Sequence, residues 1–314
     1  MSTNISGERR SWVETPPKTP VIRKVVGEMI ASQSWLDKLA EPAQNWVRTI
    51  YGPPGQSMRT AVKNFLNGVW LGHPLHPVIT DIPIGSWTAT MLLDAMWLVN
   101  ADDGVAKAAD ATLILGLAGA GAAAVAGITD WSDTDGPDRR VGLVHGALNV
   151  GVTGLNLASF LCRRAGMRGT GILLSTAGYL VTMYSSNLGG ELSFAKGVGV
   201  NHVAWEGGSD DFVAVMNAED LPENKLTRVD AAGIPAVLLK QGKNIYAIAA
   251  TCSHLGGPLD EGEAHDCAVT CPWHGSTFDM TDGSVINGPA VYAQPTFAAR
   301  VRQGKIELRR LVHA

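Results

Sequence analysis

Long apolar segments dominate the middle of the chain. Four stretches of about twenty residues, at 78–99, 107–129, 141–162 and 169–188, are almost free of Lys and Glu and are separated by short polar connections. An α-helix needs about twenty apolar residues to cross a bilayer. The pattern therefore predicts a four-helix transmembrane bundle within residues 71–205. A soluble bundle of buried helices is the alternative, and four such segments in series argue against it.

The segments on either side of this region have other periods. Residues 1–20 are polar, and apolar residues then recur at helical spacing to about residue 70, with a Gly-Pro-Pro-Gly separator at 52–55. These helices form either an amphipathic cap or an interfacial attachment to the membrane. Short β runs follow from about residue 211, with Gly242 and Gly304 at predicted hairpin turns. The runs are Phe212–Val215, Ala236–Leu239, Asn244–Ala249, Phe297–Val301 and Ile306–Arg309.

Composition narrows the class of protein. The 314 residues carry a net charge of −4, which gives no reason to expect a nucleic acid as partner. Charged residues make up 17% of the chain, against roughly 25% in soluble domains. No apolar segment follows Arg9-Arg10, so we expect no twin-arginine signal. Only four cysteines occur, and Cys162 falls in an apolar segment, so we expect no disulfide framework.

Two short motifs near the C-terminus carry the candidate chemistry. They read Cys252-x-His254 and Cys271-x-x-His274, with sixteen residues between them and a glycine-rich loop after each. Two thiolates and two imidazoles suit a 2Fe-2S cluster in which one iron takes two sulfurs and the other takes two nitrogens. A structural zinc site uses the same ligand types. Zinc fingers usually pair Cys with Cys and His with His, so zinc is the weaker alternative.

With their flanking residues, Cys-Ser-His-Leu-Gly-Gly and Cys-Pro-Trp-His-Gly-Ser-x-Phe, these motifs resemble the Rieske iron–sulfur family. The resemblance implies that Cys252 and Cys271 bind one iron and that His254 and His274 bind the other. It covers 211–312, which leaves no room for the downstream iron domain of a Rieske oxygenase. We therefore expect an electron carrier.

The departures from the family pattern indicate which branch the site resembles. High-potential members have a disulfide-forming cysteine in each loop, where this chain has Gly257 and Trp273. Phe278 stands where those members have a tyrosine hydroxyl. Hydrogen bonds to the cluster sulfurs raise its potential, so their loss lowers it. The site resembles the ferredoxin-type branch, and we expect a potential of roughly −150 to +100 mV.

The apolar region resembles a second family, an uncharacterised bacterial four-helix membrane family with a His-Pro-x-His-Pro motif. The matching residues are His73-Pro74-Leu75-His76-Pro77, within a resemblance over about 60–203. This resemblance implies no function. The predicted fold is a multidomain membrane protein, a four-helix transmembrane bundle followed by an antiparallel β Rieske domain. The predicted domains are 1–70 (tail and amphipathic helices), 71–205 (membrane domain) and 206–314 (Rieske domain).

Alternating the four spans brings polar residues to one face of the membrane. An even number of spans puts both termini on one side, and we expect that side to be the cytoplasm, where clusters are assembled. Ionisable groups near a bilayer are costly and usually mark a site. His145 is the expected centre, with Asn149 one turn away, while Asp130 and His202 share the same face. The candidate residues of a haem or quinone pocket are His73, His76, Asp81, His145 and Glu191.

The sequence thus predicts a multi-pass protein of the bacterial plasma membrane that transfers single electrons. A 2Fe-2S cluster would exchange electrons between a cytoplasmic donor or acceptor and a quinone or haem b in the membrane domain. The alternative is a small transporter or channel that is gated by the cluster as a redox sensor. A haem absorption band in the purified protein would support electron transfer, and its absence would leave both a quinone and the gated transporter open.

Overall fold

The computed structural model describes residues 21–51 and 57–311. The polar tail predicted at 1–20 and the separator predicted at 52–55 lie outside the described residues. In the described part of the chain, seven α-helices precede ten β-strands. This order matches the predicted succession of helical and β regions.

Three short helices come first: α1 (Val21–Ala31), α2 (Asp37–Tyr51) and α3 (Ser57–Asn67). Helix α2 buries the face that carries Gln44 and Val47, which are three residues apart and therefore on one side of a helix. The Gln44 amide donates hydrogen bonds to the carbonyl oxygens at positions 131 and 134, at 2.7 and 2.9 Å. These bonds fix α2 on the bundle. The helices and the short 3₁₀ turns next to them leave large apolar side chains exposed: Trp35, Leu39, Trp46, Ile50, Phe65 and Trp70.

Four long helices form the bundle: α4 (Leu75–Asn100), α5 (Asp103–Trp131), α6 (Gly136–Arg164) and α7 (Arg168–Gly190). Each predicted apolar segment lies inside one of them. By length and composition, three described helices can cross a membrane, namely α4, α5 and α6. Helix α7 does not qualify, so the predicted count of four spans is not confirmed. Its polar residues lower its hydropathy, and Ser175, Thr182 and Ser185 are buried inside the bundle.

The apolar side chains of the bundle point mainly outward. Only 17–28% of the most apolar stretch of α4, α5 or α6 is buried within the protein. A soluble bundle would bury such surface, because contiguous exposed apolar patches are rare on soluble monomers. The burial pattern therefore disfavours the soluble alternative and indicates association with a membrane.

The C-terminal region folds into two antiparallel sheets. A six-stranded sheet has the order β1-β10-β9-β4-β3-β2, and a four-stranded sheet has the order β5-β6-β7-β8. All five predicted runs coincide with strands, except that Phe212 precedes the first strand by one residue. Gly242 and Gly304 have positive φ at the hairpin turns, where glycine is favoured. The strands are β1 (Val213–Asn217), β2 (Thr227–Ala231), β3 (Ile234–Gln241), β4 (Asn244–Ala249), β5 (Glu263–His265), β6 (Ala268–Thr270), β7 (Thr277–Asp279), β8 (Val285–Asn287), β9 (Thr296–Arg302) and β10 (Lys305–Leu311).

The β domain sits on the end of the bundle where α4 begins and α7 ends. The Gly288 N–H donates to the Asn64 side chain at 2.9 Å, which joins the β domain to α3. The His202 N–H donates to the Ser253 carbonyl at 3.1 Å, and the Tyr292 hydroxyl donates to the Gly199 carbonyl at 3.4 Å. These contacts place the loop containing Ser253 directly against the membrane domain.

Candidate functional site

Two loops of similar conformation carry the four candidate ligands. In the first, the Cys252 N–H donates to the carbonyl at position 257, and in the second the Cys271 N–H donates to the carbonyl at position 276, both at 2.8 Å. Gly256 and Gly275 each have a φ of 77°, which a side chain would strain. The loops follow β4 and β6, so both cysteines reach the same edge of the domain.

The two cysteines are buried side by side. Cys252 is 1% exposed and Cys271 is 3% exposed, and both belong to one apolar core cluster. A hydrogen bond from the Cys252 thiol lowers the pKa of Cys271 to about 6, which favours the thiolate that binds metal. A Cβ on Gly257 would lie 2.8 Å from the Cys271 sulfur, so only glycine allows this loop to approach.

The two histidines form a second adjacent pair. The ring centroids of His254 and His274 lie 5.1 Å apart, with an angle of 83° between the ring planes. Burial lowers the pKa of His254 to about 3, so its imidazole is neutral at physiological pH. Neutral imidazole is the form that binds metals. The loops therefore present two sulfurs and two imidazole rings next to each other.

This arrangement fits a two-iron cluster better than a single metal ion. Among the described residues, no group of three or more His, Cys, Asp or Glu side chains is arranged to hold one ion. A structural zinc ion would need all four ligands around one point. A 2Fe-2S cluster takes two protein ligands on each iron, and the thiol pair and imidazole pair match that division.

Comparisons with known proteins agree with this fit. The family model of the Rieske 2Fe-2S domain matches residues 211–298. The ferredoxin subunit of 3-phenylpropionate/cinnamic acid dioxygenase from Escherichia coli (strain K12) is 34% identical over 88 residues, which are 28% of this chain and 82% of that protein. The chain belongs to the Rieske 2Fe-2S family. Membership indicates a 2Fe-2S cluster and a role in electron transfer for the β domain.

Other matches show how much of this chain and of each similar protein the resemblance covers. Apoptosis-inducing factor 3 from Homo sapiens is 27% identical over 96 residues, which are 31% of this chain but only 16% of that protein. The solved ferredoxin of carbazole 1,9a-dioxygenase from Nocardioides aromaticivorans IC177 is 27% identical, covers 31% of this chain and 96% of that chain, and has a TM-score of 0.30. A second family model, "Predicted membrane protein (DUF2231)", matches residues 72–202. The chain thus joins a Rieske domain to a domain of that membrane family.

The two Rieske histidines face different surroundings. The Nε2 atom of His274 lies 2.8 Å from a carboxylate oxygen of Asp135, in the loop between α5 and α6. His254 instead lines a cavity of about 670 Å³ between the Rieske loops and the helical bundle. One imidazole is therefore tied to the membrane domain, and the other opens onto its interior.

The cavity contains two of the five membrane residues predicted for a pocket. His76 and His145 both line it, with ring centroids 6.4 Å apart, and so does Asn149. Asp130 also lines it. The predicted neighbour His202 lies beside the Rieske loop rather than in the cavity, and its Nε2 is 3.0 Å from the Gly197 carbonyl oxygen.

The other three predicted pocket residues lie outside the cavity lining. His73 and Asp81 are exposed. The Glu191 carboxylate packs against Gly27 of α1, and Glu191 is not among the residues that line the cavity. The structure therefore does not bring the whole predicted set together.

Two residues of the site could not be found from the sequence. Asp135 lies in a polar loop and is 139 positions from His274, so no local pattern links them. Asn67 ends α3, is 1% exposed and lines the cavity. Its amide nitrogen and oxygen have no hydrogen-bond partner in the described structure. A buried amide without partners indicates a polar group that the chain itself does not supply.

Proposed function

We propose that this chain is a membrane-bound carrier of single electrons. Cys252 and Cys271 bind one iron of a 2Fe-2S cluster, and His254 and His274 bind the other. When bound, such a cluster supplies the storage and transfer of one electron at a time. The redox partner on the Rieske side is a cytoplasmic donor or acceptor, and the second redox group is a quinone or haem in the membrane cavity.

One observation carries this proposal: His254 lines the same cavity as His76 and His145. A ligand in that cavity would lie against a side chain proposed to bind the cluster. The Asp135 carboxylate, which belongs to the membrane domain, also supports the proposal, because one of its oxygens lies 2.8 Å from Nε2 of His274. One imidazole thus contacts the membrane domain and the other lines its cavity, which favours a fixed path over a mobile Rieske domain.

The proposed topology has four spans, with both ends of the described chain and the Rieske domain in the cytoplasm. Helix α7 is included because its outward face is apolar, with Leu173, Leu180 and Met183 exposed. Its buried face carries the Ser and Thr residues that lower its hydropathy. Polar residues that face a bundle interior are compatible with a membrane span.

Electron paramagnetic resonance tests the cluster and its ligands. The reduced, detergent-purified chain should give the low average g of a cluster with mixed Cys and His ligands, and His254→Cys or His274→Cys should shift that signal. His265→Ala is the control, because His265 is exposed in β5. Zinc without iron or acid-labile sulfide in the wild-type chain would end the proposal.

An experiment in proteoliposomes distinguishes the electron-transfer role from that of a redox-gated transporter. After the cluster is reduced with one equivalent of dithionite, its visible bands should bleach and then return when decylubiquinone, or haemin loaded into the protein, is available as acceptor. The alternative of a redox-gated transporter predicts instead that the reduced cluster is stable to these acceptors while ion flux across the vesicle changes.

Labelling of an introduced cysteine tests the orientation. Lys243 is exposed in the β3–β4 turn, so Lys243→Cys should react with a membrane-impermeant maleimide in inverted vesicles and not in intact spheroplasts. The wild-type chain, with its native cysteines, gives the background. Labelling in intact spheroplasts would place the Rieske domain outside the cytoplasm.

A further inference from the structure

The two cavity histidines are held in the same tautomer. The Nδ1 atom of His76 lies 2.8 Å from the carbonyl oxygen of Ala123, and the Nδ1 atom of His145 lies 3.0 Å from that of Ser185. A carbonyl oxygen can only accept a hydrogen bond, so each Nδ1 carries the ring proton. Each Nε2 therefore keeps its lone pair as an acceptor, and that of His145 receives the Asn149 amide at 3.2 Å. This is the usual way in which a protein orients a histidine that binds metal.

The spacing of the two rings fits one metal atom between them. Their centroids are 6.4 Å apart, and their planes are at 88°. A metal in line between two imidazole nitrogens, at about 2 Å from each, separates the ring centroids by about 6 Å. Rings that share a metal can adopt any angle about the nitrogen–metal axis, so perpendicular planes are allowed.

In the part of the chain that the structure describes, no third His, Cys, Asp or Glu side chain joins these two rings as a ligand. The described residues include no group of three or more His, Cys, Asp or Glu side chains that could hold an ion. Two nitrogens alone leave a transition metal with too few donors. A porphyrin supplies the four missing nitrogens in one plane and leaves two axial positions for histidine.

The cavity suits a large, mostly apolar group. Its volume of about 670 Å³ lies within the range of roughly 300–1,000 Å³ that is typical of cofactor sites. Gly121 and Gly146 line it without a side chain, and Trp87 adds an aromatic surface. Small residues on facing helices leave room for a flat macrocycle between them.

The polar end of the cavity faces the Rieske domain. The amide of Asn67 has no partner for either of its polar atoms in the described structure, and it lies beside Gly288 of the Rieske domain. A haem carries two propionates at one edge, which would give this amide an acceptor. The Asn149 amide donates to His145 Nε2 at 3.2 Å, but it also donates to the His145 carbonyl at 3.0 Å. It therefore keeps a partner if the ring nitrogen binds iron.

A quinone is a poorer match to these two rings. Its carbonyl oxygens need hydrogen-bond donors, whereas the Nε2 atoms of His76 and His145 can only accept. A hydroquinone could donate to one or both of them, but it would not require the spacing of the rings to fit a metal. The ring geometry thus favours haem.

We propose that the cavity is a haem site in which His76 and His145 are the two axial ligands. This inference rests on the proposed function, in which the cavity contains the second redox group, and it commits that group to a haem. It leaves His73 outside the site, although His73 is part of the same sequence motif as His76.

The test is a haem titration of the full-length, detergent-purified chain with haemin. The wild-type chain should bind one haem per chain and, after reduction, show the sharp α and β bands of six-coordinate low-spin iron. His76→Ala and His145→Ala should each lower the bound haem at least tenfold, and His73→Ala should bind as the wild type does. The 2Fe-2S signal, measured in each sample, should be unchanged.

Chemical rescue separates a lost ligand from a misfolded bundle. His145→Gly should regain the low-spin bands when millimolar imidazole is added, because free imidazole can occupy the vacated axial position. His76→Met should retain haem with shifted bands, because a thioether is a weaker axial ligand.

Three results would overturn the haem site. The first is that the wild-type chain forms no low-spin complex, and the second is that both alanine variants bind haemin as tightly as the wild type. The third is that decylubiquinol displaces haemin from the wild type and binds equally well to the His76→Ala and His145→Ala variants. The failure of the proposed function is distinguishable from these. A chain with a normal 2Fe-2S signal and no haem loses only the haem site, while a chain without the cluster signal loses the electron-transfer role whatever it binds in the cavity.

Discussion

The two ends of the helical bundle use polar residues in opposite ways. At the end that faces the Rieske domain, a cavity of about 670 Å³ separates the helices, and the buried amide of Asn67 has no partner in the described structure. At the far end, the Arg163 side chain is fully buried and all three of its guanidinium nitrogens are hydrogen-bonded.

The far end is a closed network of charges. Arg163 in α6 donates to both carboxylate oxygens of Asp94 in α4, at 2.7 and 2.5 Å, and to Asp110 in α5 at 3.2 Å. It also donates to Ser175 in α7 at 3.0 Å. Arg168 pairs with Asp110 at 2.7 Å. One arginine therefore connects all four helices, including α7.

The comparison separates residues that stabilise the bundle from residues that are available to a ligand. A buried charge with every partner inside the chain contributes to packing and has nothing left for another molecule. A buried amide or imidazole with an unused atom marks a place where the chain is incomplete alone. The far end thus fixes the helices, and the near end can remain open.

The largest predicted effect is at the closed end. Arg163→Ala removes every partner of the buried Asp94 carboxylate except the more distant Arg168, so the free energy of unfolding should fall by about 3–5 kcal/mol. Thermal unfolding in detergent, followed by circular dichroism, measures this loss. Arg164→Ala is the matched control, because Arg164 is exposed and adjacent. Equal melting temperatures for both variants would show that the network does not hold the helices together.

The next effect is at the open end, in the packing of His76. A Cβ on Gly127 would lie 2.7 Å from the His76 ring, so Gly127→Ala should displace the ring from the Ala123 carbonyl and destabilise the protein by about 1–3 kcal/mol. Gly121→Ala is the control, because a Cβ there meets nothing within 4 Å. The added methyl group should stabilise α5 by up to about 1 kcal/mol. A Gly127→Ala protein as stable as the Gly121→Ala protein contradicts the placement of His76.

Local signals explain what the sequence could predict. The cluster loops depend on residues two or three positions apart and on glycines next to them, so the motif alone indicated their chemistry. The five strongest β runs and four long helices follow from hydrophobic periodicity. Strand β2 was missed because only Val229 and Ala231 in it are apolar, and β5–β8 were missed because three residues are too few for a period to appear. The predicted domain bounds stay a prediction.

The residues that line the pocket could not all be predicted from such local signals. Asp81 lies five residues after His76, which turns it by about 140° around α4 and away from the cavity. His73 precedes the first residue of α4, so the helical phase does not apply to it. The partners Asp94 and Arg163 are 69 positions apart, and only helix packing brings them together. Alternation of the spans predicts the end of the bundle at which His76 and His145 lie. It cannot predict whether a residue at that end is on the side of its helix that faces the cavity.

A third prediction concerns Asp135, the carboxylate that the open end places against the His274 ring. Asp135→Asn keeps a group able to hydrogen-bond to His274 but removes a negative charge. Because reduction adds an electron to the cluster, the midpoint potential should rise, by tens of millivolts at most for so exposed a carboxylate. A redox titration followed by electron paramagnetic resonance measures the change. Asp266→Asn, an exposed carboxylate in the β5–β6 turn, should leave the potential as it is. A fall in potential on Asp135→Asn would mean that the carboxylate acts on the cluster in another way.

The smallest predicted effect is an ion pair near the surface of the open end. Asp37 in α2 lies 2.6 Å from Arg140 and 2.8 Å from Arg139 in α6. The hydrogen bond from Arg140 lowers the pKa of Asp37 from 3.8 to about 2. Since the folded-state pKa is the lower one, the contact stabilises the protein fully above about pH 5 and is lost as the pH falls toward 2.

The Asp37→Asn protein should therefore melt slightly below the wild type at pH 7, and the gap should close both at pH 2 and in about 1 M salt, which screens partly exposed pairs. The Arg163→Ala deficit should persist in the same salt, because a buried pair is screened much less. This difference in salt dependence is the most direct test of whether the far end is closed to solvent and the near end is open to it. If high salt abolished both deficits equally, the far-end network would be as open to solvent as the Asp37 contact, and the bundle would have no closed end.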